Sequence, residues 1–190
     1  MSPNRISTAP GSGVSHLRRF GPVNWMGLCT LIQREARRGL QDYNYQILGP
    51  VVSSLLYLAV FHLALRTTGA AESNADLLNF IAPGLIIFVA CEKAFECAAG
   101  SFIFDKHERI IADLLMAPLS PAERVCGYLA GCCLAGAAVG IAVAIVTLCF
   151  ADLGLYSVGA LIFFFLMGMM LHALIGILLG IWAEKWDSFT

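Results

Sequence analysis

Charge is what this chain has least of. Only 13% of its 190 residues are Asp, Glu, Lys or Arg, where a soluble domain carries roughly a quarter. A surface of ordinary soluble composition cannot be built from so few. The formal net charge is -1, which leaves no basic excess to attract nucleic acid. Chemical signatures are missing as well. No GxxxxGKS/T run is present to cradle a nucleoside triphosphate, and neither GxSxG nor HExxH occurs. Seven cysteines, Cys29, Cys91, Cys97, Cys126, Cys132, Cys133 and Cys149, show no CxxC spacing and read as small apolar fillers. His62 and His172 stand alone in separate apolar runs, without the HxxxH or ExxH spacing of a helical metal site, and read as hydrogen-bonded packing residues. Residues 1–22 are rich in Ser, Pro and Gly but have no apolar core, so they form a flexible tail and not a signal peptide.

What the chain does have is apolar length. Hydrophobic residues make up 58% of it, and the few charges bound long uncharged runs. Asp42 to Arg66, Arg124 to Asp152, and Asp152 to Glu184 each enclose a stretch long enough for a crossing of ~20 residues. A fourth run, Leu77 to Cys91, is shorter and meets Glu92, Lys93 and Glu96. Ile141 to Val146 and Leu161 to Leu166 do not alternate, which excludes barrel strands, whereas helices satisfy their own backbone groups in lipid. The expected fold class is therefore an all-α integral membrane protein with about four transmembrane helices. The spans fall near 47–65, 80–102, 124–150 and 156–182.

Basic residues are partitioned along the chain. Arg18, Arg19, Arg34, Arg37 and Arg38 precede the first span, and Lys106, Arg109 and Arg124 lie between the second and third. The positive-inside rule then puts the amino terminus and the loop around Lys106 in the cytoplasm, and an even number of crossings returns the other end there.

Two shorter helices are expected on that side. Trp25, Leu28, Ile32, Ala36, Leu40 and Tyr43 recur every three or four residues, with Arg34, Arg37 and Arg38 mainly elsewhere around the helix. This predicts an amphipathic helix in the membrane interface with its arginines towards anionic lipid headgroups; the alternative is a helix packed on a partner. Ile110 to Met116 reads as a short amphipathic helix ended by Pro118. Ser120-Pro121-Ala122-Glu123 is a capping box with Pro at the first helical position, so a new helix starts there. Beyond it Gly127 and Gly131, Gly136 and Gly140, and Gly176 and Gly180 stand four apart, a spacing that lets helices approach closely.

Glu92, Lys93 and Glu96 form an ionisable cluster at membrane depth, and Glu92 and Glu96 share a helix face. Counted at 1.5 Å per residue, Glu92 lies about 18 Å below Phe80 and so past the midplane on the cytoplasmic side. Such a cluster is either part of a substrate path or proton relay, or an ion pair that snorkels to the nearby interface.

The order Phe80-Ile81-Ala82-Pro83-Gly84-Leu85, then Ile110 to Met116, then Ala117-Pro118-Leu119-Ser120-Pro121-Ala122-Glu123 and Gly127-Tyr128 resembles the ABC-2 type permease family, the membrane subunits of bacterial ABC exporters. The likeness extends over 23–190 as one transmembrane domain. It implies a non-catalytic, multi-pass subunit of the inner (plasma) membrane that pairs as a homodimer or heterodimer. A separate ABC ATPase, holding ATP and Mg, would supply the energy. It also implies two contacts with that ATPase: the amino-terminal helix with Trp25, Arg34, Arg37 and Arg38, and the segment carrying Asp105, Lys106, Glu108, Arg109, Asp113 and Pro118. Family members usually have six spans, so the chain is expected to be truncated after four. Two rivals stand beside this reading: a non-transporting membrane scaffold, and an ion-coupled carrier that uses Glu92, Lys93 and Glu96 as its relay.

Overall fold

The computed structural model describes residues 24–41, 43–67, 71–148 and 157–183. The tail 1–22, the loop residues 68–70, Cys149 and the final seven residues lie outside them. Six helices follow in order: α1 Trp25–Gly39, α2 Tyr43–Thr67, α3 Ala71–His107, α4 Ile111–Met116, α5 Pro121–Thr147 and α6 Val158–Trp182. No strand occurs among the described residues. The all-α class is as the sequence implies.

Three of these helices are long and apolar enough to cross a membrane: Asn44–Ala64 within α2, and the whole of α5 and α6. Their outer faces support that role, since Leu56, Val60, Phe163, Phe164, Leu171 and Leu178 are all exposed. Water would not tolerate so continuous an apolar surface, but a bilayer would. The second expected span differs. α3 is 37 residues long, about 55 Å at 1.5 Å per residue, yet Glu92, Lys93 and Glu96 interrupt its described apolar stretch and it is not among the three.

Small residues set the packing around α3. A Cβ at Gly136 of α5 would come within 2.6 Å of the Ala90 carbonyl and 3.1 Å of Ala94 Cβ. One at Gly176 of α6 would come within 2.5 Å of the Phe95 carbonyl. The backbones therefore touch with no side chain between them, which is how helices gain dispersion contact where lipid offers no hydrophobic drive. Gly168 against Cys91 and Gly180 against Phe102 show that α6 runs parallel to α3, whereas Gly140 against Ala90 and Tyr128 against Asp105 show that α5 runs antiparallel to it. The core is built from Ala90, Ala94, Ala98, Cys132, Ala135 and Ala173, all fully buried.

α1 packs on α5, not apart from the bundle. Leu31 meets Gly127, Glu35 meets Gly131 and Gly39 meets Ala135. Three contacts in step along 8 residues make α1 run alongside the first half of α5, in the same direction. The helix is amphipathic as expected, with a buried stripe of Leu31, Glu35 and Gly39 and Trp25 69% exposed, but Arg34 and Arg38, expected to face headgroups, turn to Asp105 instead. Glycines on α5 leave a groove only along that stripe.

The capping box is present as expected. Ser120 Oγ accepts from the Glu123 N–H at 3.2 Å and Glu123 Oε2 accepts from the Ser120 N–H at 2.6 Å. The other Glu123 oxygen accepts from the Asn24 N–H at 2.7 Å, and Asn24, the N-cap of α1, accepts from Gly27 at 3.1 Å. One carboxylate thus ties the starts of two parallel helices.

Candidate functional site

Four charges meet where α1, α3 and α5 converge. Asp105 and Glu35 are both fully buried, and neither could stay ionised there alone. Arg34 Nη2 donates to Asp105 Oδ2 at 2.8 Å, and Arg38 Nη2 donates to Asp105 Oδ1 at 2.8 Å. Arg34 Nε donates to Glu35 Oε1 at 2.8 Å. Arg38 Nη1 stands 3.7 Å from the same oxygen, an ion-pair distance too long for a hydrogen bond. Tyr128 of α5 donates to Asp105 Oδ2 at 2.5 Å, and Ser101 of α3 donates to Glu35 Oε2 at 2.5 Å. The Arg38 guanidinium also lies 4.4 Å from the Phe104 ring centroid, in cation–π range.

Two carboxylates against two guanidiniums leave the cluster neutral. Burial opposes ionisation of Asp105, but hydrogen bonds from Arg38 and Tyr128 and the charges of Arg38 and Arg34 outweigh it and hold the carboxyl below its usual range. Burial likewise works against the Arg34 charge, and the Glu35 hydrogen bond with the Glu35 and Asp105 charges overcomes it, so the guanidinium is held more firmly protonated than usual.

These contacts redistribute the residues that sequence reasoning grouped together. Asp105 is not on a surface loop but inside the last turns of α3, because Arg34 and Arg38 from α1 reach it there. Lys106 turns the other way. Its ammonium donates to the carbonyls of Gly180 at 2.9 Å, Ile181 at 2.5 Å and Ala183 at 2.9 Å, capping the carbonyl end of α6, where the helix dipole favours a cation. Adjacent residues on α3 therefore hold α1 and α6. Glu108, Arg109 and Pro118 are exposed, with His107 beside them. Arg109 has φ 57°, the left-handed turn that separates α3 from α4. Asp113 lies on α4, whose Leu115 and Met116 are 61% and 77% exposed. Arg37 is exposed on α1, away from the cluster.

Glu35, Tyr128 and Ser101 were not singled out as site residues from sequence, Tyr128 entering only beside Gly127 in the family resemblance. Glu35 had a readable signal: it is the one acid among three arginines, spaced by four from Leu31 and Gly39. Tyr128 and Ser101 had none, since their partners come from distant segments.

The second polar region lies between α2 and α3. Lys93 is buried, donates to Gln46 of α2 and pairs with Glu96 Oε2 at 3.7 Å. Glu92 and Glu96 are exposed on a groove of about 770 Å³. Cys91 lies against Gly168 and Ala94 against Gly136, so the cluster is level with the middle turns of α6 and α5. That is deeper than the count from Phe80 placed it, and the lysine is held inward and does not snorkel. Among the described residues no group of His, Cys, Asp and Glu could hold a metal ion. His172 hydrogen-bonds the Gly168 carbonyl at 2.8 Å, whereas His62 is exposed.

A helical bundle with apolar outer faces, charges inside it and a short surface helix at one end defines a multi-pass membrane protein. The chain belongs to the ABC-2 type transporter family, whose profile matches residues 26–189. It is 26% identical over 166 residues to the inner membrane transport permease YadH of Escherichia coli K12, and equally to that of Shigella flexneri. The match covers 87% of this chain and 65% of those relatives, so the chain spans about two-thirds of their length. No solved structure matches it.

Proposed function

We propose that the chain is the permease subunit of an ATP-driven exporter, working as a homodimer or heterodimer in the inner membrane with both termini, and so the start of α1 and the end of α6, on the cytoplasmic side. It contributes to the translocation path and does no chemistry of its own; a separate ABC ATPase binds ATP and Mg and docks on the surface around α4. The observation that carries this reading is the junction at the end of α3. Exposed Glu108, Arg109, Leu115 and Met116 stand a few residues from Asp105 and Lys106, which grip α1 and α6. A push on α4 would reach three helices through stiff charged contacts, and such a device can bias two arrangements of a bundle.

Co-purification tests this. Tagged chain expressed with the ATPase of its own genome neighbourhood should retain it, and scrambling 107–118 should lose it without preventing membrane insertion. Recovery that is unchanged by the scramble, or no recovery from the native chain, overturns the reading.

A further inference from the structure

The groove between α2 and α3 is a built site, not merely an uncovered apolar face. Ile81, Leu85, Phe88 and Val89 of α3 line it with Tyr57 of α2, and the volume of about 770 Å³ is that of a cavity for one organic ligand. Its polar groups are unequally served. Lys93 already has Gln46 and Glu96. Ser54 of α2 is buried, lines the groove, and its hydroxyl has no hydrogen-bond partner. Glu92 makes no ion pair among the described residues and is exposed on the groove, and Glu96 is 53% exposed there. With both carboxyls ionised, two carboxylates against one ammonium give the groove an excess negative charge that a bound cation would offset. At this level of the bundle such a face cannot rest on lipid chains, because exposed carboxylates in hydrocarbon are too costly. Phe88 and Tyr57, 62% and 50% exposed, present ring faces that attract cations.

From this the geometry points to a binding site for an amphipathic organic cation: apolar walls and aromatic rings take the hydrocarbon body, and Glu92 and Glu96 take the positive centre. Its place on a transport path rests on the permease reading, but binding needs no ATPase and can fail or succeed independently of docking.

A Cβ at Gly84, which lines the groove, would meet nothing within 4 Å, so the side chain of Gly84→Phe starts in open space and is expected to occupy the groove. The full chain in nanodiscs is titrated with radiolabelled tetraphenylphosphonium, with empty nanodiscs as background and tetraphenylborate as the anion of equal shape. Saturable binding is expected, weakened at least tenfold in the Glu92→Gln, Glu96→Gln double variant, abolished in Gly84→Phe, and not displaced by tetraphenylborate. Glu92→Lys should gain tetraphenylborate binding, a change that misfolding cannot produce. No saturable binding to the native chain, equal displacement by the anion, or affinity unmoved by the carboxylate and Gly84 variants overturns the site. ATPase recovery in the co-purification above would be untouched by that result.

Discussion

At the scale of single residues, burial decides which charges are structural. Asp105 is fully buried with two guanidiniums and a phenol hydroxyl on its oxygens. Removing one member of such a group strands the others, which typically costs about 3–5 kcal/mol. Asp105→Ala should therefore lower the unfolding temperature in detergent far more than His107→Ala, whose side chain is exposed; equal effects would show that the cluster does not hold the fold. The same carboxyl sets an acid limit. Its folded pKa lies below the ordinary value, so its stabilisation is complete above the unfolded aspartate pKa of about 3.9 and is lost as pH falls from there through the folded value. Wild type and Asp105→Asn should accordingly differ in stability at pH 7 and converge below about pH 3.9. Lys106 was expected at the surface and instead serves three carbonyls. Lys106→Met keeps the stem and loses those bonds, and about 1–2 kcal/mol should disappear from α6 docking, seen as faster amide exchange in its last turn.

At the scale of elements, glycines specify which helix touches which. Gly131 gives Glu35 its place: a Cβ there would stand 2.5 Å from Glu35 Cβ and 3.0 Å from the Ile32 carbonyl. Gly131→Leu overpacks the contact, and overpacking of this kind typically costs about 1–3 kcal/mol. The expected outcome is release of α1 to limited proteolysis while the α3, α5 and α6 core resists. Retention of α1 would mean that the Glu123 link and the arginine contacts suffice. The glycine pairs were legible at four-residue spacing, and so was the Ser120 to Glu123 cap. Their partners were not, because α1 shares its groove through residues 96 positions away in the chain, and local periodicity carries no trace of that.

At the scale of the whole molecule, the described bundle has a polar end and a middle that is apolar except for the Glu92, Lys93 and Glu96 cluster. α1, the charge cluster, α4 and the capped start of α5 gather at one end, and the positive-inside rule predicts that this end faces the cytoplasm. Cys29 and Cys126 are exposed there. In inverted membrane vesicles both should react with a membrane-impermeant maleimide, and in right-side-out vesicles neither should. The reverse pattern would turn the subunit over and remove the docking surface proposed for the ATPase.

The sequence by itself determined the class: three long apolar runs with charges only at their ends, beside a shorter fourth, point to membrane helices, and the run Pro118 to Glu123 marks a boundary because proline and a capping pair act within one turn. Tertiary structure alone decided the fate of the charges. Arg34, Arg38, Asp105 and Lys106 looked like surface groups because each is charged and lies near a polar segment, but whether a charge faces lipid headgroups, a partner or a buried counter-ion depends on what three helices bring to the same point. That is a long-range property, and hydropathy, which is a local one, does not contain it.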